Sequence, residues 1–104
     1  MANFTQIKIL GILDYCNDDL MTHIVHYVDD TINKEFKIEI VPVNGVTFFR
    51  IIVDGEFVAY TVRKLINLIN NLIDNSNYDG VQVILTSDGE EKKYNVEGDH
   101  DIVI

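Results

Sequence analysis

The sequence predicts an α+β fold, with two helices packed on an antiparallel sheet of about five to six strands. Asn44-Gly45 and Asp54-Gly55 each predict a two-residue hairpin turn, because these dipeptides tolerate the positive φ that such turns require. Residues 61–75 place apolar side chains at helical spacing, which predicts an amphipathic helix. The expected order is an N-terminal segment followed by α-β-β-β-α-β-β-β, in one domain spanning 1–104.

The first part of the chain predicts one helix and leaves one segment open. Residues 3–13 fit a short helix capped by Asn3 or Thr5, although Gly11 would weaken it, and they also fit a strand. Residues 14–33 predict the first helix, with an apolar arc at about 100° per residue. That arc contains Leu20, Met21, Ile24, Tyr27, Val28 and Thr31.

Three strands are expected next, at 36–42, 46–53 and 57–61. Pro42 is compatible only with a strand end or a sheet edge. The run 46–53 is apolar on both faces, since alternate residues of a strand point in opposite directions. We therefore predict that it is a central strand with both faces covered, and that Phe48 and Ile52 are buried.

The second helix, 61–75, is the most regular element of the sequence. Its apolar stripe is Val62, Leu65, Ile66, Ile69, Leu72 and Ile73, and its outward residues are Arg63, Lys64, Asn67, Asn70, Asn71 and Asp74. Strands are then expected at 81–86, near 91–96 and around 102–104, with a Ser87–Glu90 turn between the first two. Leu65, Ile69 and Leu85 should be buried.

The net charge limits the classes of partner. Seventeen acids against eight bases give −9, which disfavours direct binding to nucleic acid or to an anionic membrane surface. The hydrophobic fraction of 47% predicts a globular chain rather than a disordered acidic tail. With no run long enough to span a membrane and no signal-peptide pattern, we expect a cytoplasmic protein.

No arrangement of residues indicates catalysis. The sequence has no glycine-rich phosphate loop and no serine or cysteine nucleophile with a recognisable basic partner. His23 and His26 are three residues apart, a spacing that can hold a metal, but a solvated polar face of the helix explains them more simply. We therefore expect neither an enzyme nor a cofactor nor a metal site.

The acids are separated from the bases along the chain. No Lys or Arg occurs between Lys8 and Lys34, or after Lys93. On the first helix the aspartates share one side over roughly 22 Å, at 1.5 Å per residue. The candidate partner-binding residues are Asp14, Asp18, Asp19, Asp29, Asp30, Asp88, Glu90, Glu91, Glu97, Asp99 and Asp101.

Some of these charges oppose helix stability. Asp29 and Asp30 lie toward the end of the first helix and Asp74 ends the second, where the helix dipole disfavours an anion by about 0.3–1 kcal/mol. Charges that destabilise their own helix are expected where binding to a partner requires them. An acidic surface that only keeps the protein soluble is the alternative, and it remains open.

A basic partner suits such a surface. B-DNA carries one phosphate charge per about 1.7 Å of axis, so a rigid array of carboxylates can occupy a cationic DNA-binding groove in its place. In size, net charge, α+β fold and Asn/Ile/Asp-rich composition, the chain resembles small acidic bacteriophage proteins, the DNA-mimic inhibitors. Known targets of such proteins are nucleoid proteins of the HU family, uracil-DNA glycosylase, and restriction or CRISPR nucleases.

The resemblance matches no diagnostic motif, so no residue roles transfer from it. It implies stoichiometric inhibition of a basic DNA-binding host protein, without catalysis or cofactor, in the host cytoplasm if the chain is phage-encoded. The alternative is a homo-oligomeric structural or protein-interaction module. Its evidence is the two-sided apolar strand 46–53 with Tyr60, Tyr94 and residues 102–104, and a homodimer through an uncovered sheet face or edge is compatible with either function.

Overall fold

The structure is a computed structural model, and it describes residues 3–13, 17–76, 78–98, 102 and 104. Its elements in order are β1 (Phe4–Ile12), α1 (Asn17–Ile32), β2 (Lys37–Val43), β3 (Val46–Phe57), α2 (Ala59–Asp74), β4 (Val81–Ser87) and β5 (Glu90–Val96). The strands form one antiparallel sheet in the order β2-β3-β1-β4-β5. The predicted α+β class, an antiparallel sheet carrying two helices, is confirmed.

The N-terminal segment is the central strand of the sheet. Ile7 and Ile9 are fully buried, while Lys8 and Leu10, which alternate with them, are half-buried on the opposite face. Gly11 has a packing role here, because a Cβ at this position would lie 2.5 Å from ring atoms of Phe49. The same glycine that would weaken a helix gives the neighbouring aromatic ring its space in the strand.

Asp54-Gly55 does not form the predicted turn. β3 continues through both residues and ends at Phe57. The separate strand expected at 57–61 is therefore absent, because Val58 is the N-cap of α2 and the helix begins at Ala59. Phe4 is opposite Phe57 while Gln6 is opposite Asp54, so three steps along β3 match two along β1. The extra residue forms a β-bulge, which, like a tight turn, often contains glycine.

Both of the other dipeptide turns are present. Asn44 and Gly45 have φ of 50° and 81°, and Asp88 and Gly89 have φ of 53° and 79°, as a type I′ hairpin turn requires. The strand expected around 102–104 is not observed at Ile102 or Ile104, and residue 103 lies outside the described residues.

The core lies between the helices and one face of the sheet. α1 contributes Leu20, Ile24, Val28 and Ile32 to it, and α2 contributes Val62, Leu65, Ile66, Ile69 and Ile73. Leu65, Ile69 and Leu85 are buried as predicted. Phe48 and Ile52 are only half-buried, because they point away from the helices and the expected second cover is absent from the described residues.

The two helices run in opposite directions. α1 starts near the Phe48 end of the sheet and finishes near its other end, where Lys34 Nζ lies 5.6 Å from the centre of the Phe57 ring. α2 begins at Ala59, close to Phe57, and runs back toward the first end of the sheet. There Gly98, which follows β5, lies against the backbone of Asp74. α2 therefore packs toward β5, and α1 lies beside it against β1.

Candidate partner-binding surfaces

The first candidate surface is the outer side of α1, where four aspartates are exposed. We call Asp18, Asp19, Asp29 and Asp30 the α1 aspartates. They face out because Leu20, Ile24, Val28 and Ile32, spaced four apart, turn the opposite side of the helix into the core. From the first to the last, the helix rises about 18 Å.

The α1 aspartates carry little compensating charge. Among the described residues none of them lies within ion-pair distance of a lysine or arginine, and the last turn of α1 contains no base. The one ionisable partner is His26, whose Nε2 lies 3.2 Å from Asp30 Oδ2 with both side chains about two-thirds exposed. Negative charge at the C-terminal end of α1 is therefore largely uncompensated.

The other predicted acids do not join this surface. Asp88, Glu90 and Glu91 belong to the β4–β5 turn and its following strand, at the edge of the sheet opposite β2. Glu91 is further engaged by Lys8, whose Nζ lies 3.2 Å from its Oε2. Glu97 follows β5, near the end of α2, and Asp14, Asp99 and Asp101 lie outside the described residues.

The second candidate surface is the face of the sheet that points away from both helices, here called the open face. No described helix covers it. Residues directly opposite one another on paired strands share a face, so the register defines its rows. One row runs across all five strands and consists of Lys37, Ile52, Lys8, Ile84 and Lys93.

The open face is close to electrical balance. It holds half of the chain's bases, namely Lys8, Lys37, Arg50 and Lys93, against the acids Glu39, Asp54 and Glu91, with Glu97 at its border. Arg50 Nη2 lies 2.7 Å from Glu39 Oε2, and Gln6 donates a 2.7 Å hydrogen bond to Asp54. The acidic surplus of the molecule consequently lies elsewhere. The sequence did not show this surface, because its residues come from five separate strands.

The third candidate surface is the edge strand β2. Exposed large apolar side chains concentrate there and at the adjoining turn, with Ile38 at 45%, Ile40 at 50%, Val43 at 45% and Val46 at 41% exposure. Tyr60 is exposed as the alternative hypothesis assumed. Tyr94, Ile102 and Ile104 are half-buried against the core and do not add to an exposed apolar surface.

The structure also contains a cavity of about 530 Å³ between α2 and β5. Phe4, Ala59, Leu85, Tyr94 and Ile104 form its apolar part, and charged residues of the β4–β5 hairpin form its rim. Within the described ranges, no three His, Cys, Asp or Glu side chains are grouped so that they could hold a metal ion. His23 and His26 are both exposed on α1.

Comparison with known proteins gives no family assignment. No protein-family model matches the chain, and no curated protein or solved structure matches it either. Among the described helices, none has the length and apolar character needed to cross a membrane.

Proposed function

We propose that this protein is an acidic protein-binding inhibitor that mimics DNA and occupies the basic DNA-binding surface of a host protein. The observation that carries the proposal is the α1 surface, where four exposed aspartates have no lysine or arginine partner among the described residues. Asp29 and Asp30 also oppose the helix dipole, so local stability does not account for them.

The length of the α1 surface and its number of charges support a comparison with one DNA strand. Successive phosphates of one B-DNA strand advance about 3.4 Å along the helix axis, so an axial length of about 18 Å contains about five of them. α1 presents four aspartates over that length on a rigid helix. The α1 aspartates form two adjacent pairs separated by about 15 Å along the helix, so a cationic groove that binds one DNA backbone would meet negative charge at two places on α1.

The distribution of charge favours a partner over a solubilising role. A surplus of acids that served only solubility would have no reason to avoid one face of the molecule. Here the open face is nearly balanced, while the exposed side of α1 carries acids without lysine or arginine. Such segregation suits electrostatic complementarity to a basic surface.

The partner class follows from this chemistry. A protein that normally binds DNA phosphates offers lysines and arginines along a groove, and a nucleoid protein, a glycosylase or a nuclease provides such a groove. Inhibition would be stoichiometric, because the proposed contact involves occupation of a surface and no chemical step.

The proposal is tested by displacement of labelled duplex DNA from an HU-family nucleoid protein, from uracil-DNA glycosylase and from basic proteins captured from bacterial lysate. The protein should displace the duplex from at least one of them at a near-stoichiometric ratio. The effect should weaken steeply as salt is raised, because the screening length falls to about 8 Å at physiological ionic strength. Failure to displace DNA from every one of these proteins at low salt would contradict the proposal.

A second candidate function is a homo-oligomeric protein-interaction module without DNA mimicry. The exposed apolar side chains of β2 favour it, because charge-based inhibition does not require them. The two functions separate in the displacement assay, since a module of this kind would self-associate and leave DNA complexes intact.

A further inference from the structure

We propose that β2 pairs antiparallel with the β2 of a second copy, about a two-fold axis at Ile38, and so forms a dimer with one continuous sheet. The inference rests on the main-chain geometry, the exposed side chains and the charges of β2. It does not depend on the proposed function.

The main chain of β2 has free hydrogen-bonding groups on its outer side. The type I′ turn makes Val43 and Val46 a hydrogen-bonded pair, so alternate residues back to Lys37 bond to β3. The N–H and C=O groups of Ile38 and Ile40 therefore point outward. Pro42 is also an outward position, where its missing N–H costs no bond to β3.

β2 has apolar side chains, as in a strand that is covered, although several of them are exposed here. Ile38 and Ile40, on the helix side of the sheet, are 45% and 50% exposed because α1 does not cover them. The other edge strand, β5, carries Glu90, Glu91, Lys92 and Lys93 in succession, a pattern that protects an edge from pairing. A second strand is therefore expected at β2 and not at β5.

The charges of β2 select one register. With the axis at Ile38, Lys37 is opposite Glu39 of the partner subunit, and the reverse pair forms by symmetry. Each Glu39 would then lie between Arg50 of its own chain, at 2.7 Å, and Lys37 of the partner subunit. Phe36 would pair with Ile40 of the partner subunit, which continues the apolar row on the helix side.

Neighbouring registers are less favourable. With the axis at Glu39, the carboxylates of the two copies face each other. With the axis at Lys37, the two lysines do. Both registers therefore place like charges opposite one another. An axis at Ile40 places Ile38 opposite Pro42, which has no N–H to donate. The Ile38 register combines opposite charges with a full set of main-chain donors from Phe36 to Ile40.

This dimer places the two α1 helices on the same side of the joined sheet, one on each side of the junction. The two copies of β3 would be three strand spacings apart, or about 14 Å. If the proposed function holds, the dimer presents two rows of α1 aspartates in place of one.

Charge variants test the pairing through the dimer dissociation constant, measured by sedimentation at concentrations up to about 100 µM, where an interface of micromolar strength is populated. Lys37→Glu should weaken dimerisation by about tenfold, because two opposite-charge pairs become repulsive. The triple variant Lys37→Glu/Glu39→Lys/Arg50→Glu, which exchanges the signs of both partners of residue 39, should recover most of the loss. Lys93→Glu, in the same row on the opposite edge, is the matched control and should leave the dimer unchanged.

Cysteine cross-linking tests the register, in a background with Cys16→Ser. Ile38→Cys should form an intersubunit disulfide, because residues at the axis lie about 5.5 Å apart between Cα atoms, within disulfide reach. Ile40→Cys should not, since two copies of this residue would be four residues apart along the strands, about 14 Å. A monomer at 100 µM, equal effects of Lys37→Glu and Lys93→Glu, or preferential cross-linking at Ile40 would each overturn the proposal.

Discussion

At the scale of single residues, Asn70 has a role that the helical pattern concealed. The sequence places it on the outer side of α2 with Asn67, but it is only 6% exposed and its Oδ1 accepts a 3.1 Å hydrogen bond from the N–H of Gly98. Gly98 has φ of 85°, and a Cβ there would lie 2.7 Å from the backbone nitrogen of Asp74. Asn70 thus attaches the segment after β5 to α2. The two bonded residues are 28 positions apart in the sequence, so helical periodicity cannot reveal the contact.

Replacing Asn70 should therefore be costly. Asn70→Ala leaves the buried N–H of Gly98 without an acceptor, which should lower the free energy of unfolding by about 1–3 kcal/mol. Urea denaturation measures this change. Asn67→Ala, at an exposed position of the same helix, is the control and should change stability by less than about 0.5 kcal/mol. Equal stabilities of the two variants would contradict the role given to Asn70.

Gly11 and Phe49 form a second pair that only the strand pairing reveals. Gly11→Ala should destabilise the protein by about 1–3 kcal/mol, because the new methyl group overlaps a fully buried ring. In a Phe49→Leu background the cost of Gly11→Ala should be smaller, since the ring is gone. A double-mutant cycle from thermal unfolding measures the difference, and an unchanged cost would show that the ring is not the cause.

At the scale of elements, the sequence predicted those whose signals are local. The stripe of α2, the helical arc of α1 and the Asn44-Gly45 and Asp88-Gly89 turns depend on neighbouring residues, and all are present. The prediction of a turn at Asp54-Gly55 was wrong because glycine also permits a β-bulge. Pairing with β1 decides between the turn and the bulge. Residues 3–13 stayed ambiguous because their strand is defined by partners 36 or more residues away.

The aspartates at the two ends of α1 should affect stability with opposite signs. Asp29→Asn/Asp30→Asn should raise the free energy of unfolding by about 0.3–1 kcal/mol per residue, because it removes anions from the negative end of the helix dipole. Asp18→Asn/Asp19→Asn, at the first turn, should lower it by a similar amount. Both changes should shrink in high salt, and the comparison is made by urea denaturation at low ionic strength. Stabilisation by both variants would indicate general charge repulsion instead of a dipole effect.

At the scale of the whole molecule, the central feature is that opposite surfaces differ in charge. The base-free run from Asp14 to Asp30 allowed the α1 surface to be predicted, because an amphipathic helix sorts its own residues. The second acidic group, at 88–91, belongs to the same predicted set of partner-binding residues, but it lies at the edge of the sheet opposite β2. The balanced open face could not be predicted, since its rows exist only once five strands are in register.

Two triple variants separate binding by the α1 aspartates from a general effect of the protein's negative charge. Asp18→Asn/Asp29→Asn/Asp30→Asn removes three charges from α1 and keeps the side-chain shapes. Asp74→Asn/Asp79→Asn/Glu56→Gln removes three charges from exposed positions outside α1, so it has the same net charge and is the matched control. Circular dichroism should show that both variants keep the fold.

The most direct measurement is displacement of labelled duplex DNA from a responsive basic partner by wild type, the α1 variant and the matched control, at one low salt concentration. The α1 variant should need at least about tenfold more protein for half-displacement, as expected for the loss of several charge pairs, whereas the control should stay close to wild type. Equal loss in both variants would show that only net charge matters, and equal displacement by all three proteins would contradict a binding role for the α1 aspartates.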